Sequence, residues 1–288
     1  MKIIDKFGKK GVVFSLEVFP PKKFSENIDT VYETLSQLTD IHPDYISVTY
    51  SAGGGGNAQH SSKIASIIKN MHNVEPVAHL TCLTNNKADI DNAIAEFTAV
   101  GVENILALRG DHNPDIPPKN QFVYASDLVE YIKTNYPKMG VSGACYPEVH
   151  MDSNNEIDDI LNLRKKVDAG AEFLVSQLFF DNDAFYRFME RAKIAGINVP
   201  IQAGIMPVTN SKQIEKMVSM CGASLPRKFS MMMQKYGDNP EAMRDAGIAY
   251  AVNQIVDLIA NGVEGIHLYT MNNPYVATKI AESIKTLL

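Results

Sequence analysis

The strongest constraint in this sequence is a unit that recurs eight times, a short apolar run followed by a helical pattern. Each run is rich in β-branched and aromatic residues and continuously apolar, as in parallel strands covered on both faces. The eight runs are VVFSLEVF (12–19), YISVTY (45–50), PVAHLTC (76–82), NILALR (104–109), VSGACY (141–146), FLVSQLFF (173–180), VPIQAG (199–204) and GIHLYT (265–270). The helical patterns that follow them span residues 26–38, 60–71, 87–99, 125–134, 155–168, 182–194, 210–220 and 274–287.

Eight such units predict an α/β fold, a (β/α)8 barrel built as one domain over residues 1–288. The length agrees, because such barrels typically take about 250 residues. An open, doubly wound parallel sheet is the alternative that the same alternation allows. Residues 221–262 exceed the repeat, and we expect them to add roughly one more helix before the eighth strand.

The last helical pattern shows the construction of these units most clearly. Asn273 stands where a capping side chain is expected, and Pro274 suits the first turn. The apolar stripe of this helix is predicted to consist of Ala277, Ile280, Ile284 and Leu287.

Composition narrows the function classes. The net charge of −6 leaves no basic footprint for nucleic acid, and no apolar run approaches the ~18 residues of a membrane span. The first eleven residues, MKIIDKFGKKG, lack the apolar core of a signal peptide. The three cysteines are far apart and form no CxxC pair, which favours a reducing compartment and argues against a structural metal site. We therefore expect a cytoplasmic protein without metal, nucleic-acid or membrane partners. The oligomeric state stays open, a homo-oligomer included.

Polar residues at the carboxyl ends of the strands are the candidates for a site, because active sites of (β/α)8 barrels lie there. Seven of the eight strands carry such residues, whereas the seventh contributes Gln202 and little else. The candidates are Glu17, Thr49, Tyr50, His79, Thr81, Arg109, Gly110, Asp111, Tyr146, Glu148, His150, Gln177, Asp181, His267, Tyr269 and Asn272. Their convergence predicts a large polar pocket for a large ligand.

Glu17 is the most unusual candidate, because it stands in the middle of the apolar stretch FSLEVFPP (14–21). A buried carboxylate is costly to desolvate unless it is paired, hydrated or protonated. A structural ion pair with Arg109 is one explanation of Glu17, and a role in catalysis is the other. His79 fits either a site residue or a core histidine that is bonded to backbone.

Other candidates also have structural explanations. Arg109 and Asp111 flank a glycine, so they could simply brace a turn. Asp159, Asn162 and Lys166 follow one another at helical spacing, so they share one face of a helix, which is either solvated or faces a ligand.

The stretch GGGGNA (53–58) fits GxGxxA between a strand and a helix, as in dinucleotide-binding proteins. That fingerprint also needs an acidic residue at the carboxyl end of the next strand. The only candidate, Glu75, stands at the amino end instead. We interpret the stretch as a flexible loop at the pocket mouth.

Long segments of the chain resemble bacterial methylenetetrahydrofolate reductases. These segments, in family order, are SLEVFPPK, YISVTY, AHLTC, ALRGD, YASDL, YPEVH, NLRKKVDAGAEFLVSQLFFD, GIMPVTN and LYTMNN. The resemblance covers about residues 12–288 and ends where the catalytic barrel of the family ends. We therefore expect no carboxyl-terminal regulatory domain of the eukaryotic type.

The resemblance implies a (β/α)8 barrel that binds FAD at the carboxyl ends of its strands. It implies ping-pong reduction of 5,10-methylenetetrahydrofolate to 5-methyltetrahydrofolate, with NADH or NADPH as the exchanging reductant. Glu17 matches the general acid of the family, and Asp111 matches the carboxylate beside the flavin ring. Besides Asp111, the positions that match FAD-binding residues are Thr49, His79, Arg109, Gly110, Tyr124, Ala125, Tyr146, His150, Asp159, Asn162, Lys165, Lys166 and Ala171. Positions that match contacts to folate or nicotinamide are Gln177, Gln213 and Tyr269.

Two positions depart from the best-known bacterial members. Met217 stands where they have an aromatic residue that stacks on ligand, and Asn273 stands where they have an arginine. Both positions concern the exchanging substrates, so the departures bear on nicotinamide preference and affinity.

The implied reaction explains why a carboxyl group would stand in an apolar strand. Hydride cannot readily attack the saturated bridging carbon of methylenetetrahydrofolate until nitrogen-10 is protonated and the ring opens to an iminium. The acid must hold its proton near neutral pH, so we expect burial to raise the pKa of Glu17 above its usual value of ~4.3.

Two other functions fit the same residues. One is a barrel that uses NAD(P) directly and has no flavin. The other is a folate-binding barrel subunit without independent turnover.

Overall fold

The computed structural model describes residues 1–9, 11–20, 28–50, 58–112, 114–210, 214, 218 and 221–288. Eight parallel strands form a closed barrel in the order of the sequence, so the predicted (β/α)8 architecture is confirmed and the open sheet is excluded. The strands are β1 (Val13–Val18), β2 (Tyr45–Val48), β3 (Glu75–Thr81), β4 (Asn104–Leu108), β5 (Gly140–Cys145), β6 (Phe173–Ser176), β7 (Ile201–Ile205) and β8 (Gly265–Tyr269).

Helices surround the barrel and connect its strands. They are α1 (Ile28–Thr39), α2 (Ala58–Asn70), α3 (Lys87–Ala99), α4 (Ala125–Asn135), α5 (Glu156–Asp168), α6 (Asn182–Ile194), α7 (Arg227–Tyr236), α8 (Pro240–Ala260) and α9 (Pro274–Ile284). The predicted extra helical segment before the eighth strand is confirmed, and it consists of two helices, α7 and α8, rather than roughly one. Asn239 separates them, since its side chain accepts a hydrogen bond from Ala242 N and Pro240 follows it.

The predicted seventh helix and the glycine-rich stretch lie largely outside the described residues. Within 210–220, residues 214 and 218 are helical, and of GGGGNA only residue 58 is described, as the start of α2.

The start of α9 is built as predicted, and its end is not. Asn273 caps the helix by accepting a hydrogen bond from Val276 N at 3.2 Å, and Pro274 is in the first turn. Ala277, Ile280 and Ile284 are buried, but the helix ends at Ile284 and Leu287 is 41% exposed. Leu287 therefore does not belong to the apolar stripe of the helix.

Two separate apolar regions hold the barrel together. The larger one lies between the strands and the surrounding helices. The smaller one fills the amino end of the barrel interior, where Val13, Tyr45, Leu106 and Phe173 pack beneath the 3-10 helix Ile3–Lys6. The amino end is therefore closed by apolar packing, and polar groups accumulate above it.

Strand register places polar residues of the interior at two levels. At the middle level, Ser15 on β1 is paired with Tyr45 on β2 and His267 on β8. Two residues further along β1, Glu17 is paired with Ser47 and Tyr269. Because side chains two residues apart point to the same face of a strand, Ser15 and Glu17 both face the interior. Sheet closure thus brings residues from distant parts of the chain to one carboxylate.

A close backbone contact fixes the segment that follows β7. Gly247 in α8 is buried against Val208, and a Cβ atom at Gly247 would collide with the Val208 carbonyl oxygen. The glycine lets the helix approach this segment at the carboxyl end of the barrel.

We expect Gly247→Ala to destabilise the fold, although alanine favours a helix by about 1 kcal/mol. Overpacking of a close contact typically costs about 1–3 kcal/mol, so the melting temperature should fall by a few degrees. The exposed Ala249 of the same helix provides the calibration, because Ala249→Gly reports helix propensity alone. A higher melting temperature for Gly247→Ala would show that the contact does not constrain the helix.

Candidate active site

Glu17 lies at the upper level of the barrel interior among residues of three other strands. Its Oε2 atom is 3.4 Å from Nε2 of His79 and 3.5 Å from Nε2 of His267, and it accepts a hydrogen bond from Ser47 at 3.5 Å. The alternative of an ion pair with Arg109 was wrong, because Arg109 Nη2 donates to Asp152 at 2.5 Å. Glu17 therefore faces two imidazoles rather than a permanent cation.

The expectation that the pKa of Glu17 is raised was wrong for this structure. Burial opposes ionisation and is the largest single effect, as the apolar strand suggested. The hydrogen bond from His267, the electrostatic effects of the His79 and His267 side chains, and the hydrogen bond from Ser47 together outweigh it, so the pKa of Glu17 is lowered. The imidazoles come from strands far away in sequence, so the local apolar pattern could not reveal them.

His79 presents a buried nitrogen without a hydrogen bond. Its side chain is 7% exposed, and Nε2 has no hydrogen-bond partner among the described residues although Glu17 Oε2 is 3.4 Å away. Burial lowers the pKa of His79 to about 4, against the opposing effect of Glu17. His79 is therefore neutral at physiological pH, and its Nε2 atom is not satisfied by backbone as in an ordinary core histidine.

His267 connects Glu17 to the middle level of the interior. Its Nδ1 atom lies 2.7 Å from Oγ of Ser15, while its Nε2 atom faces Glu17. The ring is 1% exposed and its orientation is fixed at both nitrogens. Glu17, His267 and Ser15 thus form a continuous polar path from the upper level into the barrel.

A cleft of about 500 Å³ opens at the carboxyl ends of β4 and β5, beside α4 and α5. Nine residues that match flavin-binding positions line it: Arg109, Tyr124, Ala125, Tyr146, His150, Asp159, Asn162, Lys165 and Lys166. The rings of Tyr146 and His150 meet edge to face, with centroids 4.5 Å apart. The volume falls within the ~300–1,000 Å³ typical of ligand pockets, so a nucleotide-sized molecule fits.

Lys166 is a half-buried cation of this cleft. Its Nζ atom donates to the carbonyl oxygen of Ala144 at 2.6 Å, and among the described residues no carboxylate lies within ion-pair distance of it. Gly143 makes room for the side chain, because a Cβ atom there would lie 2.6 Å from Lys166 Cδ. Burial lowers the pKa of Lys166, and the charge of Asp159 opposes this effect. A half-buried ammonium without a carboxylate in direct contact favours an anionic ligand.

The acidic residues around the cleft are largely engaged in the structure itself. Asp127 caps α4 by accepting hydrogen bonds from Val123 N and Tyr124 N, and Asp152 pairs with Arg109. Asp159 accepts a hydrogen bond from Ser153 at 2.8 Å. These carboxylates therefore oppose an anionic ligand less than their number suggests.

The remaining positions that match cofactor or substrate contacts lie at strand ends, at the amino end of the barrel, or outside the described residues. Thr49, Gly110, Asp111, Gln177 and Tyr269 all lie at or just beyond the carboxyl ends of β2, β4, β6 and β8. Asp111 is exposed, and Tyr269 donates its hydroxyl to the carbonyl oxygen of Ser176 at 2.7 Å. Gly110 has a φ of 87°, which favours glycine, so the turn after β4 depends on it.

Ala171 does not lie with the others. It precedes β6 at the amino end of the barrel and is buried in the core between strands and helices. Gln213 and Met217 lie outside the described residues. Asn273, the departure in place of arginine, serves as the cap of α9.

Three polar residues of the site escaped the sequence analysis. Ser15 and Ser47 contact the polar path inside the barrel, and Asp152 holds Arg109. Ser15 stands two residues before Glu17, so its period-two spacing was the available signal.

Fold and site together define a parallel (β/α)8-barrel protein with a ligand cleft at the carboxyl ends of its strands and a buried carboxylate beside it. Among the described residues, no helix is long and apolar enough to cross a membrane, and no group of three or more His, Cys, Asp or Glu side chains is placed to hold a metal ion.

The chain belongs to the methylenetetrahydrofolate reductase family, whose model matches residues 2–285. It is 34% identical to 5,10-methylenetetrahydrofolate reductase of Salmonella typhimurium, over 94% of this chain and 90% of that protein. It is 35% identical to methylenetetrahydrofolate reductase (NADH) 1 of Arabidopsis thaliana, over 94% of this chain but 49% of that protein. The chain thus spans about half the length of the plant relative.

A solved structure with the same fold comes from Clostridium thermocellum. That protein, described as binding two copies of 5-methyl-5,6,7,8-tetrahydrofolic acid, superposes with a TM-score of 0.70 over 99% of this chain and 98% of its own. At 14% identity the similarity shows the fold alone.

The lowered pKa of His79 predicts a loss of stability in acid. Between the usual histidine pKa near 6.5 and the folded value of about 4, the unfolded chain binds a proton that the folded protein excludes. Stability should therefore fall as pH drops through this window, by roughly 3 kcal/mol at ~1.4 kcal/mol per pH unit.

Urea denaturation of the wild type and of His79→Gln at a series of pH values measures this dependence. In the variant, the slope of the free energy of unfolding against pH should be much smaller between the folded and unfolded pKa values of His79. His112→Gln provides the control, because it removes an exposed histidine. An unchanged slope in His79→Gln would mean that His79 is not the group that excludes the proton.

Proposed function

We propose that this protein reduces 5,10-methylenetetrahydrofolate to 5-methyltetrahydrofolate, with FAD as cofactor and NADH or NADPH as reductant. The observation that carries the proposal is the carboxyl group of Glu17 between two imidazoles, at the carboxyl end of a barrel with a nucleotide-sized cleft. Family membership and the names of the relatives support the same reaction.

The residues of the cleft fit FAD. Lys166 offers a half-buried positive charge that no described carboxylate contacts directly, and Lys165 adds an exposed one on the same turn of α5. Both suit a pyrophosphate, while Tyr146 and His150 offer ring surfaces. Arg109, Tyr124, Ala125, Asp159 and Asn162 would complete the walls. When bound, FAD supplies the hydride chemistry, and the protein positions and tunes it.

Glu17 is the group that would protonate nitrogen-10 of the substrate. In the structure its pKa is lowered, so it must gain a proton when substrate binds. Its side chain retains 19% exposure, and a ligand above it would remove the remaining water. Further burial disfavours the ionised form, so substrate binding raises the pKa of Glu17 toward the range in which it donates.

The groups around Glu17 would hold and orient this proton. The neutral His79 leaves Nε2 directed at the carboxyl group, and His267 contacts the same oxygen. Tyr269 and Gln177 stand at the neighbouring strand ends and would bind folate or nicotinamide, and Asp111 would lie beside the cofactor. These assignments follow the family pattern.

A folate-binding barrel without turnover is the second candidate, and the Clostridium neighbour is the observation that favours it. A barrel that uses NAD(P) without flavin is the third. The visible spectrum of the purified protein, before and after anaerobic addition of NADH and then of NADPH, tests the proposal. Bleaching of a flavin band by either nucleotide supports it, a colourless protein opposes it, and bound flavin that both nucleotides leave oxidised favours the binding subunit.

We expect the protein to purify with FAD, which heat release and chromatography would identify. Lys166→Met should weaken FAD binding by about 10- to 100-fold, since a hydrogen bond to a charged group contributes about 1.5–3 kcal/mol. Lys165→Met should have a smaller effect, because Lys165 is exposed. Recovery of FMN, or equal effects of the two substitutions, would contradict this placement.

For Glu17→Gln we expect a selective loss. NADH oxidation with menadione as acceptor should stay near the wild-type rate, because it needs no proton from Glu17. Turnover of methylenetetrahydrofolate should fall by at least the ~10²-fold typical of a lost general acid. Equal loss in both assays would indicate a structural role, and an unaffected folate rate would remove Glu17 from the mechanism.

A further inference from the structure

The middle level of the barrel interior contains more polar groups than the site described above uses. Ser15, Tyr45, Gln202 and His267 are each at most 1% exposed. The interior of such barrels is typically filled by branched apolar side chains, and buried polar groups are costly unless each is paired. These four residues form hydrogen bonds with one another, so the donor and the acceptor of each bond can be assigned in turn.

The orientation of the Gln202 amide can be assigned from its neighbours. One of its polar atoms lies 3.3 Å from the carbonyl oxygen of Val13, which can only accept, so that atom is Nε2. The Oε1 atom then faces Tyr45, whose hydroxyl donates to it. Burial raises the pKa of Tyr45 well above its usual range, so the hydroxyl keeps its hydrogen.

The adjacent backbone is shaped around this amide. Gly265 on β8 pairs with Gln202 on β7, and a Cβ atom at Gly265 would lie 2.6 Å from Gln202 Cγ and 2.8 Å from Nε2. Only a glycine leaves this space, so the amide is held in one place by its own strand and by the next.

The amide in turn fixes the hydroxyl of Ser15. Gln202 Nε2 donates to Ser15 Oγ at 3.2 Å, so Ser15 gives its own hydrogen elsewhere. The nearer acceptor is Nδ1 of His267 at 2.7 Å, because the carbonyl oxygen of Ile266 is 3.4 Å away. A nitrogen that accepts carries no hydrogen, so neutral His267 carries it on Nε2, the atom that faces Glu17.

We propose that Gln202 is a positioning residue for the acid, held in place by Tyr45. Acting through Ser15, it selects the tautomer of His267 that presents an N–H group to Glu17 rather than a lone pair. The link to catalysis rests on the proposed function, whereas the tautomer does not.

The consequence for Glu17 follows from its surroundings. The groups that face its carboxyl are Ser47 on β2, His79 on β3, and His267 and Tyr269 on β8. With His79 neutral, the N–H group of His267 favours the ionised carboxylate in the resting protein. Gln202 occupies one of the two acceptor sites of Ser15, so without Gln202 acceptance from Nδ1–H competes better with donation to Nδ1, and the Nε2 lone pair of that tautomer disfavours ionised Glu17.

Long-range proton–nitrogen NMR of histidine-labelled protein, at mildly alkaline pH, tests the tautomer directly. The signals of His267 are assigned by their loss in His267→Gln. The wild type should carry hydrogen on Nε2 and not on Nδ1. The opposite result in the wild type overturns the proposal before any further variant is made.

Two variants test the role of the amide. Gln202→Leu keeps the volume but removes both polar atoms, and it should produce a mixture of tautomers. Tyr45→Phe keeps the ring, which stacks on His267 with centroids 6.1 Å apart, and should change the tautomer less, because Val13 still anchors the amide. A single Nε2–H tautomer in Gln202→Leu overturns the proposal, and Ser15→Ala provides the same test if that variant does not fold.

The pH profile of methylenetetrahydrofolate turnover tests the link to catalysis. In Gln202→Leu the limb that reports Glu17 should move to higher pH by about one unit, because a hydrogen bond to the ionised form is lost. If the tautomer of His267 changes in Gln202→Leu but the pH profile of turnover does not move, the positioning role of Gln202 is refuted. If no turnover of this substrate is found in the wild type, the proposed function fails, and the NMR result still decides the tautomer.

Discussion

The central constraint on this barrel is the carboxylate of Glu17, which needs polar partners that its own strand does not supply. On β1, Glu17 is surrounded in sequence by apolar residues, and burial by itself opposes its ionisation. The compensating groups come from β2, β3 and β8, and closure of the sheet is what brings β8 to β1. Closure of the barrel therefore also completes the surroundings of Glu17. A barrel that failed to close between β1 and β8 would leave the carboxylate without His267.

The interior is layered so that this polar group does not weaken the fold. At the amino end, mostly apolar side chains pack under the 3-10 helix, and Tyr45 among them directs its hydroxyl to Gln202 at the middle level. Above them, the middle level places each buried polar atom against a partner, and the upper level meets the opening. From the amino end to the carboxyl end, the interior thus changes from apolar packing to paired polar groups and then to groups near the opening. Access to water rises in the same direction. Stability is thus concentrated at one end of the barrel and chemistry at the other.

Much of this architecture could be predicted from sequence, because it depends on local patterns. Strand positions followed from continuous apolar runs, and the start of α9 followed from a cap and a proline. The expected helices shifted at the break between α7 and α8, although the cap Asn239 and Pro240 mark it locally, and at the early end of α9. Another prediction failed because distant contacts decide the outcome. The pKa of Glu17 had the opposite sign, because two histidines from other strands outweigh the burial that the sequence could show.

The candidate site shows the same division between local and distant information. Residues at strand ends and along α5 were found because motif and periodicity mark them, and nine of them line one cleft. Ser47 was missed because a serine in a strand has no distinctive local pattern, whereas Ser15 was missed although its spacing of two residues from Glu17 marks it.

Charge is distributed unequally between the two parts of this site. In the cleft, Lys166 is a half-buried cation that contacts no carboxylate within the part of the chain that the structure describes, whereas Glu17 is a largely buried acid whose nearest partners are neutral or titratable. An anionic cofactor would therefore be held by fixed charge at one end, while the acid at the other end stays able to gain and lose a proton. A lysine or arginine beside Glu17 would bind an anion as well, but it would hold the carboxylate ionised and prevent it from acting as an acid. In this structure Arg109 pairs with Asp152, and the groups that face Glu17 are imidazoles.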